Sequence, residues 1–206
     1  MKYVIFDFNG TVLDDLQVGI DSINDTIRAY LKRGPVDRQE YTHIFGFPVR
    51  DYYERVGFDF SKQDWDEVAQ YWVNCYNSRR GEYRIFDGVL ELLDENHAKG
   101  YQNILLSATK LSMLESQLEE LGIRGRFDEV LGIDNIYATS KVPLIRDFMK
   151  DKKKEDCIFI GDTLHDLDVA ESAGIECVLV ANGHQAKEIL ETRCSRVYDD
   201  IREVRL

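Results

Sequence analysis

The sequence is short of cysteine, of long apolar runs and of positive charge, and each shortage removes a class of protein. Only Cys75, Cys157, Cys177 and Cys194 occur in 206 residues, none in CxxC spacing, so a paired redox or metal-binding use finds no support. Two of them sit in apolar runs, and the sequence predicts the cysteines as buried, reduced thiols that behave as small hydrophobes. The run Lys2-Tyr3-Val4-Ile5-Phe6 ends at Asp7, far short of a secretory leader or a membrane span. A soluble, cytoplasmic protein with no membrane partner is expected. With 26 basic against 38 acidic side chains the formal charge is −12, the wrong sign for a nucleic-acid partner held by charge. What remains is 44% hydrophobic and 11% aromatic, enough to fill a sizeable interior. The length allows one large domain or a core carrying a smaller insertion.

Short apolar runs, each followed by a turn and a pattern of helical period, recur along most of the chain. The predicted strands cover 3–6, 103–106, 129–131, 157–160, 177–180 and, weakly, 196–198. Helical spacing covers 89–99, 111–121, 142–150, 164–173 and 186–191. Strand–helix alternation of this kind is the signature of βαβ units and a parallel sheet, and strands that are apolar throughout suit burial on both faces. The expected fold is therefore α/β, a Rossmann-like parallel sheet with helices on both faces. One stretch breaks the rhythm: from about residue 16 to 84 there is no good strand, while 18–32, 49–56 and 62–79 have helical spacing. It reads as a small helical insertion after the first strand, dividing the chain into a core of 1–14 and 85–206 and a cap of 15–84. Its polar flanks can serve as the connections of a movable lid; an α-rich half of one rigid domain is the alternative.

The first strand carries Asp7-Phe8-Asn9-Gly10-Thr11 to its carboxyl end, where open parallel sheets bind their ligands. Glycine permits a tight turn and close backbone approach there, and the Thr11 hydroxyl with neighbouring amides can donate to phosphate oxygens. Standing alone, the motif would equally be an ordinary turn with a solvated aspartate. The second strand ends in Leu106-Ser107-Ala108-Thr109, a second group of phosphate-oxygen donors, although serine also caps helices. Lys141 opens a helix, where it can neutralise a transferring phosphoryl group or be a plain surface charge. The run Gly161-Asp162-Thr163-Leu164-His165-Asp166 brings two carboxylates to a strand end. Such a pair is costly to assemble without a cation, and hard oxygen ligands favour magnesium. A capping aspartate followed by an exposed one in the first helical turn is the simpler alternative.

In this order the four elements resemble the haloacid dehalogenase-like hydrolase superfamily, with the insertion similar to the helical cap of its phosphoglycolate phosphatase and β-phosphoglucomutase branch. Phe45-Gly46-Phe47-Pro48 and Phe86-Asp87-Gly88-Val89 are also similar to that branch. The resemblance implies a magnesium-dependent phosphatase acting on a small phosphorylated metabolite through an aspartyl-phosphate. Asp7 would be nucleophile and metal ligand, joined as ligands by the Asn9 carbonyl, Asp162 and Asp166. Ser107, Ala108, Lys141 and Thr11 would hold the phosphoryl group. For substrate recognition in the cap, His43 and Arg50 are the candidates for a carboxylate or second phosphate, each with a solvated side chain as its alternative. The cap aromatics Tyr52, Tyr53, Trp65, Tyr71, Trp72 and Tyr76 follow helical spacing, which predicts lid and core packing or a dimer surface. A monomer and a homodimer are both compatible with this reading.

One residue departs from the pattern. Phosphatases of the superfamily usually carry an aspartate two positions after the nucleophile to protonate the leaving alcohol and activate water, and here it is Asn9. An amide exchanges no proton near neutrality, and the help it forgoes is typically about 10²- to 10⁴-fold. Four accounts follow: substrates with good leaving groups such as acyl phosphates, a base supplied by His165 or a cap residue, binding without turnover, or deamidation of the Asn9-Gly10 pair. A phospho-ligand binding or sensing protein is thus the second functional expectation. The dehalogenase branch is disfavoured because it works without the metal that the paired aspartates call for, and no cap lysine stands in a context suited to phosphonate cleavage.

Overall fold

A computed structural model describes residues 2–137 and 140–206; Met1, Ala138 and Thr139 lie outside the described residues. In chain order the elements are β1 (Tyr3–Phe6), β2 (Leu13–Asp14), α1 (Leu16–Tyr30), α2 (Arg38–Ile44), α3 (Val49–Val56), α4 (Trp65–Ser78), β3 (Arg84–Ile85) and α5 (Val89–Ala98). They continue with β4 (Gln102–Lys110), α6 (Leu111–Glu120), β5 (Glu129–Ile133), α7 (Val142–Phe148), β6 (Cys157–Gly161), α8 (Leu164–Ala173), β7 (Glu176–Val180), α9 (Lys187–Leu190) and β8 (Val197–Tyr198). Six strands form one sheet in the order β5-β4-β1-β6-β7-β8, every pairing parallel. No helix among the described residues is long and apolar enough to cross a membrane.

The period-2 geometry of a strand explains why the central strands are apolar without alternation. Val4 and Phe6 of β1, with Ile158 and Ile160 of β6, pack into the layer that α5 and α6 cover through Leu93, Leu114 and Leu118. Ile5 and Phe159 face the other way, onto Ile145 and Phe148 of α7 and Val169 and Ala170 of α8. Both faces are buried, so both sets of positions must be apolar.

A separate hydrophobic cluster lies in the helical segment, formed by Leu16, Ile20, Ile23 and Ile27 of α1 with Tyr41, Tyr52, Tyr53, Val56 and Val68. The aromatic set of the sequence reading thus packs largely as a core, although Tyr71 is 37% exposed. Two features were not expected. Helix α2 fills what read as a connection, capped by the Asp37 side chain accepting from the Glu40 amide. The two leads into the helical segment pair as a short antiparallel ladder, Leu13 with Ile85 and Asp14 with Arg84, where polar flanking linkers were expected. The cysteine prediction holds in part: the cysteines are free thiols, with Cys157 and Cys194 buried, but Cys75 and Cys177 only half-buried.

Candidate active site

Strands β1, β4 and β6 end on one group of buried polar side chains. The Asp7 carboxylate lies 2.8 Å from the Lys141 ammonium, which is also 2.5 Å from Asp166. Lys141 is only 1% exposed, so it is no surface charge. Burial works against its ammonium, but the Asp166 and Asp7 charges outweigh that and hold it above the ordinary lysine range. Burial raises the Asp7 carboxyl to about 6, with Lys141 pulling the other way.

Asp162 completes the acidic group. Its Oδ1 accepts from the Thr11 hydroxyl at 3.1 Å and its Oδ2 from the His184 amide at 2.7 Å. Burial lifts Asp162 to about 8, His184 opposes that, and the Asp166 and Asp7 charges add to it. Asp166 is fully buried: one oxygen takes Lys141 and the other takes the Thr163 amide and hydroxyl in a capping box that starts α8. The simpler alternative of an exposed Asp166 therefore falls. Asp7, Asp162 and Asp166 offer oxygens within 4.8 Å of one another. If all three carboxylates ionise, the one ammonium among them leaves two negative charges uncompensated, and burial opposes that state at Asp7 and Asp162. A divalent, oxygen-seeking cation fits that donor set.

Gly10 makes the cluster possible. Its φ is +76°, and a Cβ there would meet Asp162 Oδ2 at 2.2 Å, so only glycine allows the β1 turn to lie against Asp162. At the end of β4, Ser107 and Ala108 line the same cavity as Asp7 and Lys141. Ser107 is 1% exposed, and its Oγ accepts from the Thr109 amide at 3.1 Å. Strand β4 runs to Lys110, four residues past its expected end, with a register shift against β5 between Leu106 and Lys110, so these donors lie within the strand. Thr11 is placed differently from the expectation of a phosphate donor: its hydroxyl is spent on Asp162 and its amide on the Phe8 carbonyl.

Asn9 is held on every side. Its Nδ2 donates to Asp15 Oδ2 at 2.7 Å and to the Tyr76 hydroxyl at 3.0 Å, and its Oδ1 accepts from the Thr109 hydroxyl at 2.9 Å. Asp15 is 2% exposed; it also accepts from Tyr76 at 2.7 Å and pairs with His184 Nε2 at 3.1 Å, while the Tyr41 hydroxyl lies 3.0 Å from His184 Nδ1. Burial disfavours both charges of the pair. Even so, Asp15 lifts the His184 imidazole to about 9, and His184 with its neighbours draws Asp15 below the ordinary carboxylate range. Sequence reading missed Asp15 and His184. The amide at position 9 was the available signal, since it needed a partner that the local motif did not supply.

The remaining candidates lie elsewhere. His43 is exposed, with its Nδ1 2.7 Å from the Gln39 carbonyl. Arg50 reaches Glu54 at 3.7 Å and stands over Phe60. Neither lines the cavity that holds Asp7, so the structure does not bring them to the substrate position expected of them. His165 stacks on Phe47 with ring centres 4.3 Å apart and also stays outside that cavity.

The family model for haloacid dehalogenase-like hydrolases matches residues 4–180 of this chain. The chain belongs to the haloacid dehalogenase-like hydrolase family. It is 25% identical over 195 residues to a 5'-nucleotidase of Pseudomonas aeruginosa, covering 91% of this chain and 86% of the relative. A phosphoglycolate phosphatase of Agrobacterium fabrum is 25% identical over 206 residues, covering 95% and 87%. In structure, the chain is similar to a haloacid dehalogenase-like family hydrolase from Streptococcus pneumoniae, with a TM-score of 0.79, 21% identity and 96% and 93% coverage. Within the fold of this family, Asp7, Ser107, Lys141 and Asp162 all stand at one edge of the sheet.

Proposed function

We propose that the protein is a magnesium-dependent phosphatase of a small phosphorylated metabolite, acting through an aspartyl-phosphate on Asp7. The observation that carries this reading is the enclosed Asp7–Lys141 pair, 2.8 Å apart, in a cavity shared with Ser107 and Ala108. Relatives named phosphoglycolate phosphatase, pyrophosphatase and 5'-nucleotidase support the reaction class. Asp7, Asp162, Asp166 and the Asn9 carbonyl would hold the cation, which when bound neutralises phosphate charge.

Asp7 supplies the attacking carboxylate oxygen, and the burial that raises it to about 6 also strips it of hydration. Lys141 keeps Asp7 oriented and offers its positive charge to the phosphoryl oxygens. The Ser107 hydroxyl and the Ala108 amide bind those oxygens. Asp166 fixes Lys141 from the opposite side of its ammonium. The 15–84 segment serves as a cap over a core of 1–14 and 85–206, with the β2–β3 ladder as its two-stranded stem; its closure excludes water from the reaction.

Asn9 favours one second reading. Both polar atoms of its side chain are bound, and neither can carry a proton to the leaving oxygen, which suits a binding protein that retains phosphate without turnover. Phosphate release from acetyl phosphate with magnesium separates the two. Turnover that vanishes in Asp7→Ala supports the phosphatase, whereas phosphate binding without release supports the binder.

A further inference from the structure

Apart from Asp15, an anion already paired with His184, the cap contributes no charged side chain to the reaction cavity. Its other contributions include Phe47, Trp65, Ala69, Trp72 and Val73, and α6 of the core adds Met113. The positive groups that line it are Lys110, Lys141 and His184. Lys141 is committed to Asp7 and Asp166, His184 to Asp15, and Lys110 is exposed to solvent. A carboxylate or second phosphate drawn into the aromatic lobe would therefore lose its hydration with no buried, uncommitted cation among the described residues to replace it, Lys110 standing at the exposed rim. The cavity, phosphoryl site included, measures about 160 Å³, which restricts it to a small substrate. Tyrosine and tryptophan rings in its wall offer edge and face contacts to an aromatic ring.

Resting on the phosphatase reading above, we propose that the substrate is an aryl phosphate, the phosphate monoester of a small uncharged phenol, with its ring in the aromatic lobe and its phosphoryl group at Asp7. Asn9 agrees with this independently. A phenol ionises near pH 10, so its oxygen departs without the proton donor that an alkoxide demands and that an amide cannot supply. In the first step an Asp7 oxygen bonds to phosphorus as the aryl P–O bond breaks. The phenolate keeps the electron pair and takes its proton from solvent. In the second, a water oxygen bonds to the aspartyl-phosphate, the Asp7–phosphorus bond breaks, inorganic phosphate leaves and the water's proton passes to solvent.

The test uses the full chain with magnesium. Steady-state kcat/KM is measured for acetyl phosphate, phenyl phosphate, 2-phosphoglycolate, pyrophosphate and adenosine monophosphate. Calorimetry compares phenylphosphonate with phosphonoacetate, which probes the lobe without turnover. Phenyl phosphate is expected to exceed 2-phosphoglycolate, pyrophosphate and adenosine monophosphate by about tenfold or more, and phenylphosphonate to bind about tenfold tighter than phosphonoacetate, as burial of one ring requires. Val73→Trp and Met113→Trp, both at half-buried positions, fill the lobe and are expected to lower the phenyl-to-acetyl phosphate ratio by about tenfold. Two variants from separate helices guard against one that misfolds. Turnover of acetyl phosphate combined with preference for a charged ester would overturn the aryl assignment and leave the phosphatase reading standing. Silence toward every ester with phenylphosphonate still preferred would do the reverse. An unchanged ratio in both folded variants, or tighter binding of phosphonoacetate, also rejects the aromatic lobe as the ring site.

Discussion

At the scale of single residues, Asn9 and Asp15 behave as one unit. The Asn9 amide donates to Asp15 at 2.7 Å, so Asn9→Asp would set two carboxylates in contact, and both cannot ionise. We expect Asn9→Asp to lose about 1–3 kcal/mol of stability at pH 8, with Asp15→Asn in the same chain recovering at least half. Chemical denaturation in a double-mutant cycle measures the coupling; additive effects would show that the two side chains do not interact. His184 gives a pH dependence of definite sign. Its imidazole is raised from 6.5 to about 9 by Asp15, against the effect of burial, so the stability it adds is complete below 6.5 and is lost as pH rises through about 9. The depressed Asp15 acts in the opposite direction, losing its contribution only as pH falls through its lowered folded value. Thermal melts in chelator should therefore decline from pH 7 to 10, and His184→Gln should flatten that decline. Of these residues only Asn9 was legible as unusual. Asp15 and His184 lie 169 positions apart, and no local pattern joins them.

At the scale of elements, a seam of hydrogen bonds fastens the helical segment, the proposed cap, to the proposed core beside the cavity. Gln185 accepts from the Leu164 amide at 2.7 Å and donates to the Phe45 carbonyl at 2.8 Å. One residue on, the Ala186 amide donates to the Thr42 carbonyl at 3.0 Å. Gln185→Ala removes two of these bonds and leaves a backbone donor and acceptor unpaired, at a cost of about 1–3 kcal/mol each where they are buried. Faster amide exchange across α2 and α3, with KM for acetyl phosphate raised about threefold or more, is the expected result; unchanged exchange would show that the seam does not hold the cap. Long elements were readable because their periodicity repeats within one stretch: α3 and α8 fall where helical spacing placed them. The β2–β3 ladder was not. Each strand has two residues, too few for a pattern, and its partner lies some seventy positions away.

At the scale of the whole molecule, a chain of charge −12 concentrates part of that charge at one sheet edge. Asp7 and Asp166 share Lys141 as their neutralising group, and Asp162 completes the carboxylate cluster with His184 as its opposing charge, so cation binding should stabilise the fold. At a hundredfold excess over Kd the gain is about 2.7 kcal/mol, or roughly 5–10 °C in Tm for a chain of this size. Scanning calorimetry with and without magnesium checks this, and Asp162→Asn should remove most of the shift; an equal shift in the variant would place the cation elsewhere. The sequence by itself determined the α/β class, the strands of the parallel sheet and which polar residues stand at their carboxyl ends, because hydrophobic period and strand-end motifs are local properties written in consecutive residues. Tertiary structure alone decided that Thr11 serves Asp162, that His43 and Arg50 stay outside the cavity, and that Asp15 and His184 enclose Asn9. Those outcomes depend on which surfaces meet when cap and core pack, and the direction of a side chain across such a contact is set by its distant neighbours.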